Sequence, residues 1–268
     1  AIACLEVNFG TSRPVPHERT GATEMTVLVP TMGALHKGHQ ALIKRARALD
    51  KDVIVSIFVN PLQFENKDDL EKYPRTPQRD IEIATIAGAN EVWFPEYEDL
   101  YPEGFKTLSA GSLGNIFEGA SRPGHFDGVV TVVDRLFAIA KPDKAIFGEK
   151  DFQQLTIIKA MKSKVEVVAV PTVREFDGLA LSSRNIRLTE SGRETALVIH
   201  RALAAAKLAP LRSGSMRCKP QLRPKVNISA KLVDSHRSCR SNLPTITSAR
   251  RKMIVRHLRL CKSRCVRH

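Results

Sequence analysis

Pro30-Thr31-Met32-Gly33-Ala34-Leu35-His36-Lys37-Gly38-His39 decides how this chain is read. Before it stands the apolar run Thr26-Val27-Leu28-Val29, which predicts a buried parallel strand. After it, Gln40-Ala41-Leu42-Ile43-Lys44-Arg45-Ala46 predicts a helix. A strand, a glycine turn and a helix opening on two histidines outline a nucleotide site. The three-residue spacing of His36 and His39 sets both imidazoles on one face of the first helical turn. Unpaired backbone N–H groups and the positive end of the helix dipole meet there, which favours phosphate oxygens. Gly33 and Gly38 leave room for a close backbone approach.

Outward from this stretch, strands and helices alternate. Val53 to Val59 is a continuous apolar run, as in a strand buried on both faces. Leu70 to Gly88 has helical spacing, with Thr76 as N-cap and Pro77 in the first helical position. Glu91 to Phe94 predicts a strand, Val129 to Ile139 a helix, and Lys144 to Phe147 a strand. Phe152 to Lys162 and Val165 to Val170 predict a further helix and strand. Repeated βαβ units predict an α/β fold: a Rossmann-like, doubly wound parallel sheet with helices on both faces. Ligands in such sheets bind beyond the carboxyl ends of the strands.

Other chemistry-bearing segments fall at those ends. Val59-Asn60-Pro61-Leu62-Gln63-Phe64 follows one strand, and Gly148-Glu149-Lys150-Asp151-Phe152-Gln153-Gln154 follows another. Gly148 suits a tight turn, and Lys150 offers a point charge to phosphate. Leu181-Ser182-Ser183-Arg184 supplies two hydroxyls and a planar donor fork, a set suited to phosphate oxygens. It reads equally as a capping sequence with a surface arginine. Gly119 to Phe126 is either a polar loop over the site or a plain loop.

Charge and cysteine are unevenly spread over the 268 residues. The formal net charge is +14, yet residues 208–268 hold 16 of the 42 Lys and Arg and only Asp234 of the 28 acids. The tail thus carries +15 and the remainder −1. Four of the five cysteines, Cys218, Cys239, Cys261 and Cys265, lie in the tail, which has no Phe, Tyr, Trp or Glu. Such composition argues against a packed core. Its cysteine and histidine spacings fit no standard zinc pattern. A basic phosphate-binding tail is one reading. The leading one is out-of-frame translation joined to a normal enzyme, because the composition switches abruptly near Leu208-Ala209-Pro210. Residues 1–24 read as an irregular leader, with loop signals at Pro14-Val15-Pro16 and Thr20-Gly21. No apolar run approaches the roughly 20 residues of a membrane span, and no signal-peptide pattern opens the chain. A cytoplasmic protein is the expectation.

HxGH after a strand and a Met-Gly turn resembles the nucleotidylyltransferase superfamily. The ordered set PTMGALHKGH, FVNPLQF, YPRT, EGASRPGHFDGV, FGEKDFQQL and DGLALSSRN looks like the pantothenate synthetase (pantoate–β-alanine ligase) family. The likeness runs from about Thr26 to Lys207. It implies ATP- and Mg²⁺-dependent joining of (R)-pantoate to β-alanine through a pantoyl adenylate, releasing AMP and diphosphate. By motif position it implies an ATP site of Met32, Gly33, Ala34, Leu35, His36, Lys37, Gly38 and His39. Gly148, Glu149, Lys150, Asp151, Val173, Leu181, Ser182, Ser183 and Arg184 would complete that site. His36, His39, Lys150 and Arg184 would be the catalytic set, with His39 in the position usually given the proton-donor role. Gln63 and Gln154 would bind pantoate, Gln63 also lying near β-alanine, and Asn60 and Tyr73 would line that end. The metal ligands stay unknown.

The resemblance divides the chain into the leader, an ATP- and pantoate-binding domain over 25–175, the start of a C-terminal lid over 176–207, and the aberrant tail 208–268. It implies a homodimer; the departure from the family pattern after Lys207, where a small closing domain should continue, implies weak binding of ATP and pantoate and reduced or no turnover. A class I aminoacyl-tRNA synthetase shares an HxGH-type signature. The FVNPLQF and GEKDFQQL segments and the chain's length point away from it, so no nucleic-acid partner is expected despite the basic tail.

Overall fold

The computed structural model describes residues 6–9, 25–50 and 52–208. The tail from residue 209 and most of the leader lie outside the described residues, so the expectations made for them are not addressed by it. Six strands form one parallel sheet in the order β1-β4-β3-β2-β5-β6. They are β1 (Glu6–Phe9), β2 (Thr26–Thr31), β3 (Asp52–Ile57), β4 (Glu91–Phe94), β5 (Lys144–Gly148) and β6 (Glu166–Val170). The helices are α1 (Lys37–Leu49), α2 (Lys67–Glu71), α3 (Pro77–Ala87), α4 (Tyr97–Leu100), α5 (Gly111–Gly114), α6 (His125–Ala140), α7 (Phe152–Lys159) and α8 (Glu190–Leu208).

The strands carry apolar residues on both faces, and the alternation of each strand sorts them into two cores. Val27, Val29, Val53, Val55, Val92 and Ile146 meet Ile43 and Ala46 of α1 and Ala84 and Ala87 of α3. Leu28, Ile54, Trp93, Ala145 and Phe147 meet the long apolar face of α6 and Leu155, Ile157 and Ile158 of α7. Burying each such aliphatic side chain contributes on the order of 1.5–3 kcal/mol. From β2 the chain steps through β3 to β4, then returns to the opposite side of β2 for β5 and β6. The reversal puts a crevice at the carboxyl ends of β2, β3 and β5, where three of the predicted motifs emerge.

The structure sharpens the expectations at four places. Within the leader read as irregular, Glu6–Phe9 pairs in parallel with Glu91–Phe94. The run with helical spacing from Leu70 holds the end of α2 and then α3, separated at Pro74, and α3 opens on Pro77 in the first position as expected. Thr76 does take the N-cap position, but its hydroxyl donates to Asp80 Oδ1 at 3.1 Å instead of capping the backbone. Helix α6 starts at His125, four residues before the apolar run that signalled it.

Candidate functional site

The Met32–His36 loop leaves β2 through two successive left-handed residues, Gly33 (φ 81°) and Ala34 (φ 49°). A Cβ at Gly33 would lie 3.0 Å from Asp80 Oδ2 and 3.1 Å from Ile57 Cγ2, so both backbone angle and space demand glycine. Ala34 holds its angle at a cost of roughly 1–2 kcal/mol. Asp80 offsets it. The carboxylate, 1 % exposed, accepts the Ala34 N–H at 3.0 Å and the Leu35 N–H at 2.7 Å. Two consecutive amides turned to one side would bind an anion; here the protein supplies that anion itself.

His36 is the N-cap of α1, and the two histidines cap each other. The Gly38 N–H donates to His36 Nδ1 at 3.0 Å, and the His36 N–H donates to His39 Nδ1 at 3.2 Å. A backbone N–H can only donate, so both Nδ1 atoms are bare and both protons sit on Nε2. The rings lie 4.1 Å apart, tilted by 41°. A Cβ at Gly38 would come within 2.8 Å of the His36 ring, so the cap needs this glycine as well. Burial, helped by the Lys150 charge, lowers His36 from 6.5 to about 4. Burial lowers His39 further, to about 3, aided by His36 and Lys150 and opposed by Asp151. At neutral pH the helix start therefore presents two uncharged Nε2–H donors.

This cap sets a pH dependence of stability. Both imidazoles sit below the 6.5 of an unfolded chain, so the unfolded state takes up protons first as pH falls. The contribution of the neutral pair is whole above about pH 6.5 and is lost as pH drops through that value toward 4 and then 3. Urea unfolding midpoints should fall over this window. His39→Asn, which keeps an acceptor without a titrating ring, should flatten the lower part. An identical acid profile in that variant would contradict the assignment.

The other motifs converge on the same loop. Ser183 Oγ donates to the Ala34 carbonyl at 3.1 Å, and Leu181 Cβ stands 3.7 Å from where a Gly38 Cβ would lie. Leu181 N–H pairs with the Val173 carbonyl at 3.0 Å in a tight hairpin, and Ser182 Oγ accepts the Arg184 N–H at 3.3 Å. Lys37 is exposed in the first turn of α1. Gly148 ends β5, and Glu149–Asp151 forms one 3-10 turn in which Lys150 pairs with Asp151 at 3.1 Å. Lys150 is thus free of any buried partner and close enough to act on both histidines.

Arg184 is held in place by an acid and a ring. Its guanidinium pairs with Asp69 Oδ2 at 2.9 Å and lies over the Tyr73 ring at 5.2 Å. Arg187 takes the other Asp69 oxygen at 3.0 Å. Burial works against the Asp69 charge, yet the two arginines keep its carboxyl below the ordinary range. Tyr73 is buried beneath Arg184, and burial raises its hydroxyl against the pull of Arg184 and a hydrogen bond with Ser183.

The Asn60–Gln63 turn is held by a chain of hydrogen bonds. Gln63 Nε2 donates to Met32 Sδ at 2.9 Å, which ties it to the histidine loop. Asn60 Nδ2 donates to Gln63 Oε1 at 3.2 Å and to the Gly128 carbonyl at 3.1 Å. Asn60 Oδ1 accepts the Leu62 N–H at 3.2 Å and the Tyr101 hydroxyl at 2.8 Å. With all four of its hydrogen-bonding positions filled and 1 % exposure, Asn60 holds Gln63 in place here. Burial pushes the Tyr101 hydroxyl well above its ordinary range, so it stays a donor. Gln154 is half-buried in the first turn of α7. Its neighbour Gln153 instead binds the Leu113 and Ile116 carbonyls and the Glu118 N–H.

Asp80, Asp69, Tyr101, Arg122 and His125 are site-building residues that spacing did not single out. Asp80 shows in sequence only as an acid in the first turn of a helix. Arg122 and His125 stood in a loop whose role was open. Among the described residues no three His, Cys, Asp or Glu side chains converge to hold a metal. Asp69 and Asp151 are already paired with cations. The residues present suit an ion whose shell is mostly phosphate and water.

Known proteins with the same arrangement were found. The pantoate-beta-alanine ligase family model matches residues 11–256. The pantothenate synthetase of Bdellovibrio bacteriovorus is 49% identical over 193 residues, covering 70% of this chain and 77% of that one. The crystal structure of the Thermus thermophilus pantothenate synthetase superimposes with a TM-score of 0.65 at 51% identity, covering 68% of each chain. The Francisella tularensis pantoate-beta-alanine ligase, complexed with beta-gamma ATP and β-alanine, gives 0.66 at 37% identity over 75% of this chain and 80% of that one. With six motifs gathered at one end of a six-stranded parallel sheet, this chain belongs to the pantoate–β-alanine ligase family.

Proposed function

We propose that the chain activates (R)-pantoate with ATP as pantoyl adenylate and passes the acyl group to β-alanine. The observation that carries this reading is the pair of uncharged Nε2–H donors on His36 and His39, facing Lys150 at the start of α1. A pantoate carboxylate oxygen attacks the α-phosphorus, the bond from that phosphorus to the bridging oxygen breaks, and diphosphate leaves. Charge grows on the phosphate oxygens in that step, and fixed donors at a helix N-terminus stabilise it without reorganising. With a pKa of about 3, His39 acts as a hydrogen-bond donor to this charge. Lys150 and Arg184 add positive charge, and Gln63, itself uncharged, holds pantoate by its hydroxyl end. The β-alanine amine then attacks the acyl carbon, and AMP leaves as the amine gives up a proton.

Mg²⁺ would arrive with ATP and neutralise part of the phosphate charge. The likeness to a ligase complexed with beta-gamma ATP and β-alanine supports both substrates. We also propose a cytoplasmic homodimer. Exposed Leu108, Leu113, Ile116, Phe117 and Phe152 support self-association, since Gln153 ties the 113–118 segment to the start of α7. The abrupt change of composition after Leu208 is the ground on which reduced or no overall turnover is proposed.

Exchange of labelled diphosphate into ATP tests the reading. Exchange should require pantoate and proceed without β-alanine. Pantoate-independent exchange, or none at saturating ATP and pantoate, would overturn it.

A further inference from the structure

We propose that Arg122 and His125 are positioning residues for Gln63, and that through it they set the affinity for the hydroxy-acid substrate; the role given to Gln63 above is the reading on which this rests. The Gln63 main-chain carbonyl is met by His125 Nδ1 at 2.7 Å and by Arg122 Nη2 at 3.3 Å. A carbonyl only accepts, so His125 carries its proton on Nδ1 and its Nε2 is bare. Arg122 Nη1 lies 3.1 Å from that nitrogen and donates to it, while also pairing with Glu118 Oε1 at 2.8 Å. The sequence of donors runs from Arg122 through His125 to Gln63, with Glu118 holding the guanidinium. This is the opposite tautomer to that of His36 and His39.

Satisfying one buried carbonyl takes one donor, and His125, 7 % exposed, already provides it. Arg122 fills both the second lone pair of the carbonyl and the bare imidazole nitrogen, which locks the ring's orientation as well as its tautomer. The same helix holds the turn at a second point, one turn further along. A Cβ at Gly128 would lie 2.4 Å from the Leu62 carbonyl oxygen, so α6 packs directly on the Pro61–Gln63 backbone. The main chain of Gln63 is thus fixed from α6, while its amide is fixed by Asn60 and Met32. Two independent fixtures on one side chain suit a group whose direction matters to a ligand.

Two measurements on the full chain test the proposal. In nitrogen-edited NMR of the ligand-free protein, the Gln63 side-chain amide pair, identified by its loss in Gln63→Glu, should shift measurably in Arg122→Met and His125→Leu. His125→Asn, whose amide still donates to the carbonyl, should recover part of the shift. In steady-state assays Arg122→Met should raise KM for pantoate by about tenfold while KM for ATP stays within twofold. Unmoved amide signals overturn the proposal. So does an equal loss of both affinities together with a lower thermal midpoint, which is the mark of a structural role alone. The NMR arm reads the order of Gln63 whatever it binds, so absence of pantoate-dependent exchange in the parent protein would sink the functional reading while this arm still decides the positioning role.

Discussion

Replacing His39 with alanine is expected to slow pantoate-dependent diphosphate exchange by about a hundredfold or more, the usual effect of removing one fixed donor to a developing oxyanion. The substitution removes two things at once. The Nε2–H donor goes, and so does the Nδ1 acceptor that takes the His36 N–H at 3.2 Å. Loss of the cap alone costs about 1 kcal/mol of stability. His39→Asn separates the effects, because its carbonyl oxygen can still accept the amide while no donor reaches the Nε2 position. That variant should unfold near the parent midpoint yet exchange as slowly as the alanine variant. Near-parental exchange by His39→Ala would refute the role given to this imidazole.

Asp80→Ala should be the most damaging change away from the histidines. It leaves the Ala34 and Leu35 amides without their acceptor in a buried position. Stranding two donors that were bound to a charged group costs on the order of 3 kcal/mol or more. Ala34 would also keep its left-handed angle with nothing to hold it. The histidines follow directly in the chain, so displacing the loop by a fraction of an ångström should weaken nucleotide binding and slow exchange by on the order of tenfold to a hundredfold. Urea denaturation and calorimetric ATP binding would measure the two parts. Asp80→Asn should fall between, since one oxygen remains to accept. Parental stability in Asp80→Ala would mean that the loop holds its own shape.

Much of this was legible because parallel strands announce themselves. Val27, Val29, Val53 and Val55 are apolar beside Leu28 and Ile54, so burial on both faces follows from the residues alone. The placement of His36, His39 and Lys150 just beyond strand ends followed from the same alternation. Residues that work across long separations were not legible. Asp80 reaches back 45 and 46 residues, and Tyr101 reaches Asn60 across 41. Neither distance leaves a trace in local spacing. Strand β1 escaped for a related reason: Glu6–Phe9 alternates too briefly to signal a strand, and its partner lies far along the chain. For Arg184, residue type and position suggested a phosphate ligand, and only the fold revealed Asp69 bound to the same guanidinium.

That edge strand bears on anyone trimming the gene for expression. A chain begun at residue 25 would strip Glu6–Phe9 from β4 and bare the hydrogen-bonding groups of Glu91–Phe94. An open strand edge invites pairing between molecules. The shorter product would then tend to aggregate through a face that has nothing to do with its chemistry.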